Sequence, residues 1–514
     1  MKIILFSHRL IWIYKLSCAI IHKIIYVEVG DMLFNSLSFA VFLPVVFILY
    51  WAIPHKWRWI VLFVSSYYFY MSWNVKYVLL ILFTTFISYI CAIGLDRAKS
   101  KRTKKIMIVS TLIASLGCLF FFKYFNFVSA SIAELLGLFT LQVHPVTLNL
   151  LLPVGISFYT FQTLGYVIDV YRGDVRAEKH FGKYATFIAF FPQLVAGPIE
   201  RSRNLLPQIL AEHRFDYEKA AAGMRLMVWG FFKKIVIADT LAVYIDTIYN
   251  ALPQYTGGPL LAASLMFAIQ IYCDFSGYSD IAIGTAHLFG IDLMKNFDSP
   301  YFSASVKEFW ARWHISLSTW LRDYVYIPLG GNRVSKPRNA FNLMATFLIS
   351  GLWHGANWTY VVWGGIHGFA QIAEKYIFRI DTKKQDWRSH KTKWWFSVLI
   401  TFIFVTFAWI FFRAGTIQDA FYVITHMFQG ISNPLLYISQ TNAALGMDKL
   451  TFLGMAVSIA LLILYDYFSL KTEVLDKIKS CGPLIRWAIY LVFVIFLIFN
   501  IPITSGQEFI YFQF

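Results

Sequence analysis

Two histidines frame the stretch of this chain that could do chemistry. His314 stands in F-W-A-R-W-H-I-S-L-S-T-W-L-R-D, and His354 follows forty positions later in F-L-I-S-G-L-W-H-G-A-N-W-T-Y. Neutral imidazole suits general-base work near neutral pH, because its ordinary pKa lies near 6.5. The run from Ala340 to Ala370 around His354 contains no Asp, Glu, Lys or Arg. An ionisable side chain in such a run is costly inside a bilayer and marks a candidate functional site. Gly351 and Gly355 beside it would let a backbone or ligand come close. Asn357, three positions after His354, would share its face on a continuous helix and orient the imidazole or an acyl oxygen. His314 lies instead among Lys307, Arg312, Arg322, Asp323 and the tryptophans Trp310, Trp313 and Trp320. That mixture fits a helix at a membrane interface or one facing a protein-lined funnel. For both histidines a structural role, hydrogen-bonded or packed between helices, is the plain alternative.

Other chemistries lack their patterns. No G-x-S-x-G elbow and no H-E-x-x-H pair is present, so a nucleophilic serine hydrolase and a zinc hydrolase are both disfavoured. The cysteines Cys18, Cys91, Cys118, Cys273 and Cys481 form no C-x-x-C pair, which argues against a disulfide framework or a metal site. Attack by a substrate's own hydroxyl, assisted by histidine, is the simpler chemistry.

The elements that must position these residues are membranous. The 514 residues are 58% hydrophobic and 14% charged, against about 25% charged in soluble domains. The expected fold is an all-α polytopic integral membrane protein, with roughly eleven transmembrane helices plus re-entrant segments. The net charge of +17 sits in short loops, foremost D-R-A-K-S-K-R-T-K-K at 96–105, which is expected on the cytoplasmic side. Such charge holds topology against anionic lipid, and no nucleic-acid-binding motif accompanies it. Residues 1–31 read as an N-terminal extension, with Met32 a natural alternative start, and residues 32–514 as one transmembrane domain.

Several polar residues inside apolar runs need a reading. Lys123 is expected close to an interface, and Lys233 and Lys234 are expected to snorkel to a membrane surface. Asp169 and Arg172 are spaced to pair on one helix face. The segment 184–199 holds Pro192, Gly197 and Pro198, which predicts a bent or re-entrant piece. Asp274 and Asp280 flank Gly277, where a bend is expected. They satisfy local backbone or line a polar cavity; both readings stand. The segment 430–448 reads as a polar loop.

The motifs F-W-A-R-W-H-I-S-L-S-T-W-L-R-D-Y-V-Y-I-P-L-G-G-N-R and G-L-W-H-G-A-N-W-T-Y-V-V-W-G-G-I-H-G resemble the membrane-bound O-acyltransferase family. G-I-S-F-Y-T-F-Q-T-L-G-Y-V-I-D-V-Y-R-G, F-F-P-Q-L-V-A-G-P-I-E-R and D-F-S-G-Y-S-D-I-A-I-G point to its bacterial alginate O-acetylation branch. The resemblance implies a ring of helices around a central tunnel. It makes His354 the catalytic histidine and His314 the second one across the tunnel, and His367, in I-H-G, also fits the pattern. It implies a cytoplasmic acyl-thioester donor such as acetyl-CoA, with no bound cofactor or metal. Arg312, Arg322 and Arg333 would draw the donor's phosphates unless they only hold topology, and Asp274 and Asp323 would join the tunnel lining. It further implies the inner, cytoplasmic membrane as location and an extracytoplasmic acetyltransferase as partner, serving O-acetylation of a cell-surface polysaccharide. Transfer of D-alanine to teichoic acid is the alternative within the family. A transporter or flippase, or a non-catalytic scaffold, would explain the spans and intramembrane charges without the histidine chemistry.

Overall fold

The computed structural model describes residues 32–500, apart from 142, 196 and 381–390, together with Phe509. The extension at 1–31 lies outside the described residues, as does the polar, basic stretch 381–390. Every regular element among the described residues is helical. Five helices are long and apolar enough to cross a membrane: Val75–Arg97, Lys101–Gly137, Gly258–Leu288, Thr392–Arg413 and Lys449–Ser469. Leu37–Ala52 and Pro483–Ile498 are shorter apolar helices. The protein is therefore a multi-pass helical membrane protein.

Nine helices that build or brace the site are numbered in chain order. They are α1 (Lys101–Leu119), α2 (Ile156–Arg172), α3 (Tyr217–Phe231), α4 (Gly258–Leu288) and α5 (Ile315–Leu321). The rest are α6 (Lys336–His354), α7 (Trp358–Tyr376), α8 (Lys391–Arg413) and α9 (Lys449–Ser469). Wider π turns at Phe120–Tyr124, Phe232–Ala238 and Arg322–Tyr326 continue α1, α3 and α5. Such turns insert a residue into the i→i−4 ladder and often mark functional sites.

The centre of the bundle is α4. Gly277 does not break it: the helix runs on over 31 residues. The glycine serves packing. A Cβ on Gly277 would meet the Gly230 carbonyl of α3 at 2.8 Å, and one on Gly230 would meet the Gly277 carbonyl at 2.7 Å. Two helices without side chains at their crossing can bring backbones together, as small-residue seams do in membranes.

That close crossing also corrects the reading of the two lysines after α3. Lys233 and Lys234 are buried rather than snorkelling. Lys233 Nζ pairs with Asp280 at 2.7 Å, and Lys234 Nζ pairs with Asp239 at 2.7 Å and Asp274 at 2.8 Å. A buried charge is tolerable only when paired and hydrogen-bonded, and these are. The aspartates of the D-F-S-G-Y-S-D motif thus fasten α4 to the π turn beside it.

Breaks fall where backbone chemistry demands them. Helix 181–189 stops at Phe190 (φ −48°, ψ 109°), just before a second short helix, Phe191–Leu194, so the bent 184–199 segment is present, and its described residues are buried. The 430–448 stretch is not a loop throughout: Pro434–Leu445 is a helix, capped by the Asn433 side chain and ended by Gly446 in the left-handed region. The apolar run 340–370 is not one helix either. It is divided at Gly355 (φ −160°, ψ 152°) into α6 and α7.

Candidate active site

His314 sits at a chain reversal between helix Val306–Arg312 and α5. It is the N-cap of α5 with φ 43° and ψ 53°, a left-handed backbone rare outside glycine. Strained residues of this kind persist only where their surroundings hold them. Asn296 does the holding. Its carbonyl accepts from Ile315 N at 2.9 Å, and its side-chain Oδ1 accepts from Ser316 Oγ at 2.9 Å and Ser316 N at 3.2 Å. The same Oδ1 lies 3.2 Å from His314 Nδ1. The Asn296 amide donates in turn to Ser279 Oγ on α4 at 3.2 Å. Because Oδ1 can only accept, the imidazole proton belongs on Nδ1 and the lone pair on Nε2. Phe275 of α4 closes the site, edge-on to His314 at 4.6 Å between ring centres.

His354 is the last residue of α6, and the chain turns away immediately after it at Gly355. Its ring is enclosed edge-on by Trp353 (5.0 Å), Trp363 (5.1 Å) and Phe412 (5.3 Å). The His314 and His354 rings lie 6.3 Å apart at 57°, both buried. His354 also lines a cavity of about 40 Å³ with Lys123, the 152–158 segment, Val195 and Trp353. That is room for one hydroxyl or water.

The remaining candidates fall into three groups. His367 is buried next to the pair: its Nδ1 accepts from Trp310 Nε1 at 3.2 Å, and it shares the Trp363 ring with His354. Asn357 does not share a helix face with His354, because α6 ends between them. It caps α7, accepting from Thr359 N at 3.0 Å, and donates to the Gly415 carbonyl at 2.8 Å. Asp274 belongs to the Lys234 ion pair described above. Arg312 pairs with Glu308 at 2.9 Å on its own helix and donates to the Asp298 carbonyl. Arg322 pairs with its neighbour Asp323 at 2.8 Å, and Arg333 is exposed.

A second polar cluster forms around Tyr324, and it corrects another pairing. Asp169 and Arg172 do not pair with each other. Asp169 accepts from the Tyr324 hydroxyl at 2.6 Å, while Arg172 reaches the Asp323 carbonyl. Arg201 lies over the Tyr324 ring and pairs with Asp323 at 3.0 Å. The residue that i,i+3 spacing could not supply was an aromatic hydroxyl from another helix.

Lys123 has partners that its own segment does not announce. It lies in the π turn after α1, and its Nζ donates to the carbonyls of Trp353 (2.8 Å) and His354 (3.0 Å). Sequence reasoning passed over it and Asn296 as site residues. For Lys123 the signal was present, a lone cation within F-F-F-K-Y-F; Asn296 lies in a polar loop that resembles many others.

The chain is similar to several known proteins. The sequence profile of the membrane-bound O-acyltransferase family matches residues 176–414, which include His314, His354 and His367. The chain is 39% identical to the probable alginate O-acetylase of Pseudomonas aeruginosa, covering 88% of this chain and 84% of that protein. It is 33% identical to the peptidoglycan O-acetyltransferase of Helicobacter pylori over 94% of this chain and 98% of that protein. With the teichoic acid D-alanyltransferase of Bacillus subtilis it shares 28% identity over 56% of this chain and 78% of that protein.

Proposed function

Because the chain belongs to the membrane-bound O-acyltransferase family, we propose that this acyltransferase moves an acetyl group from a cytoplasmic thioester, acetyl-CoA, toward an extracytoplasmic hydroxyl. The acceptor pathway leads to a cell-surface glycan, completed by an extracytoplasmic acetyltransferase partner. The chain resides in the inner membrane as a bundle of roughly eleven spans and re-entrant pieces around a tunnel.

The observation that carries this reading is the pair of buried imidazoles 6.3 Å apart, one beside a hydroxyl-sized cavity. His354 accepts the proton of the acceptor hydroxyl as its oxygen attacks the thioester carbonyl carbon. The carbon–sulfur bond then breaks, and the proton passes from His354 to the departing thiolate. The products are an ester and a free thiol. His314, held by Asn296 with its lone pair on Nε2, faces the same site and can accept a hydrogen bond from the acceptor hydroxyl, orienting it for attack. Preference for acetyl over D-alanyl is supported by the relatives named as O-acetylating enzymes, which match 88% and 94% of this chain. The D-alanyltransferase of Bacillus subtilis matches 56%.

The test is the O-acetyl ester content of the extracellular polysaccharide in cells making His354→Ala, with membrane expression checked in parallel. Loss of a general base lowers the rate ~10²–10⁴-fold, enough to empty the ester pool. Wild-type acetylation at normal expression would overturn the catalytic role and leave a transporter or scaffold.

A further inference from the structure

A helix leaves its last four carbonyls without intrahelical partners, and α6 ends on His354 inside the protein, where water is scarce. The four carbonyls are nevertheless all satisfied. Gly351 O accepts from Gly355 N at 3.4 Å, and Leu352 O accepts from the Tyr124 hydroxyl at 2.8 Å. Trp353 O and His354 O accept from Lys123 Nζ at 2.8 and 3.0 Å, and the same ammonium reaches Ser157 Oγ at 3.4 Å. Three of the four caps therefore come from two consecutive residues more than two hundred positions away. The π turn at Phe120–Tyr124 is what aims both at the helix end.

A neutral donor would satisfy a carbonyl equally well. A cation does more, because a helix C-terminus carries partial negative charge that favours an ammonium beside it. Lys123 also lines the same cavity as His354.

We propose that Lys123 and Tyr124 are positioning residues for His354, a cap supplied by another helix that fixes where the catalytic imidazole points. The inference rests on the catalytic reading of His354. Lys123 spends its three donors on Trp353, His354 and Ser157, so it acts through His354 and not on the substrate directly. Without the cap the last turn of α6 frays, and Gly355 offers no side chain to stop it.

The experiment uses the full chain purified in detergent, with Lys123→Met, Lys123→Arg, Tyr124→Phe and His354→Ala. One readout is steady-state transfer from acetyl-CoA, followed as thiol release. The other needs no turnover: the rate at which diethyl pyrocarbonate modifies the His354 peptide, read by mass spectrometry. Lys123→Met is expected to lower kcat at least tenfold with KM for acetyl-CoA within twofold, and to speed His354 modification several-fold. Lys123→Arg, which keeps the charge and the donors, restores most of both. Tyr124→Phe gives the same pattern at a few-fold size, and as a near-isosteric change it keeps the test alive if Lys123→Met does not fold. Wild-type kcat and unchanged His354 modification in Lys123→Met and Tyr124→Phe would overturn the proposal. So would failure of Lys123→Arg to rescue. If His354→Ala keeps its kcat while the cap variants still alter His354 modification, the catalytic reading falls and the positioning contact stands.

Discussion

Gly155 should resist replacement, and the reason can be separated into two parts. It precedes α2 with φ +72°, and a Cβ there would lie 2.8 Å from the Leu194 carbonyl, whereas ordinary contact begins at 3.4 Å. The left-handed backbone alone costs an alanine ~1–2 kcal/mol, less ~0.5–1 kcal/mol regained from the stiffer unfolded chain. The clash requires the Leu194 backbone to yield by ~0.6 Å, a form of overpacking that costs a further ~1–3 kcal/mol. Gly155→Ala should therefore destabilise by ~1.5–4 kcal/mol. Gly173, at the other end of the same helix, isolates the first part: φ is +85°, but nothing lies within 4 Å of its Cβ position. Gly173→Ala should cost only ~0.5–1 kcal/mol. Gly454 carries neither burden, and Gly454→Ala should be neutral or stabilising by up to ~1 kcal/mol. Thermal melting of the three variants in one detergent gives the order, and thiol release from acetyl-CoA gives the consequence. Gly155 lines the His354 cavity, so its variant should also lose activity at temperatures where it is still folded, while Gly173→Ala keeps its rate within twofold. Equal melting of Gly155→Ala and Gly173→Ala would refute the Leu194 contact.

Three further outcomes follow from the site and its supports. Asn296→Ala removes the acceptor that sets the His314 tautomer, and should lower acetyl transfer ~10–100-fold with little change in donor KM. A wild-type rate would detach His314 from the chemistry. Lys234→Met strands two buried carboxylates at a cost of ~3–5 kcal/mol, while adding Asp239→Asn and Asp274→Asn should recover most of the melting temperature. Failure of the triple variant to recover would mean that the charges serve more than each other. Asn357→Ala loses a helix cap worth ~1 kcal/mol and should melt lower, yet transfer within threefold of wild type. A hundredfold loss of rate would return Asn357 to the reacting centre.

What was legible in the sequence was whatever one segment states about itself. Composition and uncharged runs gave a helical membrane protein, and Pro192 with Gly197 and Pro198 gave the broken 184–199 segment. The W-H-I-S-L-S and W-H-G motifs gave the two histidines. What was not legible was pairing across segments. The nearby Asp239 alone does not distinguish a lysine that snorkels from Lys234, which is buried because Asp274 also arrives from α4. Asp169 and Arg172 have the spacing of a pair, yet Tyr324 from a distant π turn intercepts the carboxylate. The Asn357 reading failed for a local reason that could have been weighed. G-A-N-W-T places an extended glycine and a good N-cap side by side, which ends one helix and starts the next.

The depth of His354 follows from helix lengths and can be tested without any assay of transfer. Helix α6 starts at Lys336, in an exposed basic segment with Arg333 and Arg338, and ends at His354. Its eighteen steps rise ~27 Å, against a hydrocarbon thickness of ~30 Å. Even at a tilt of 40° the rise along the membrane normal is ~21 Å, past the midplane at ~15 Å. The helix from Lys101 gives the same answer independently. It too starts at a basic loop, and Lys123 lies twenty-two steps on, or ~33 Å, where it meets His354. If both basic ends face the cytoplasm, the cavity beside His354 lies toward the opposite face, and the exposed Leu151 next to it marks its mouth. With the five native cysteines replaced, Leu151→Cys should react with a membrane-impermeant maleimide in spheroplasts. Lys336→Cys should react only in inverted vesicles. Labelling of both from the same face would overturn this placement, and with it the assignment of the cavity to the acceptor hydroxyl.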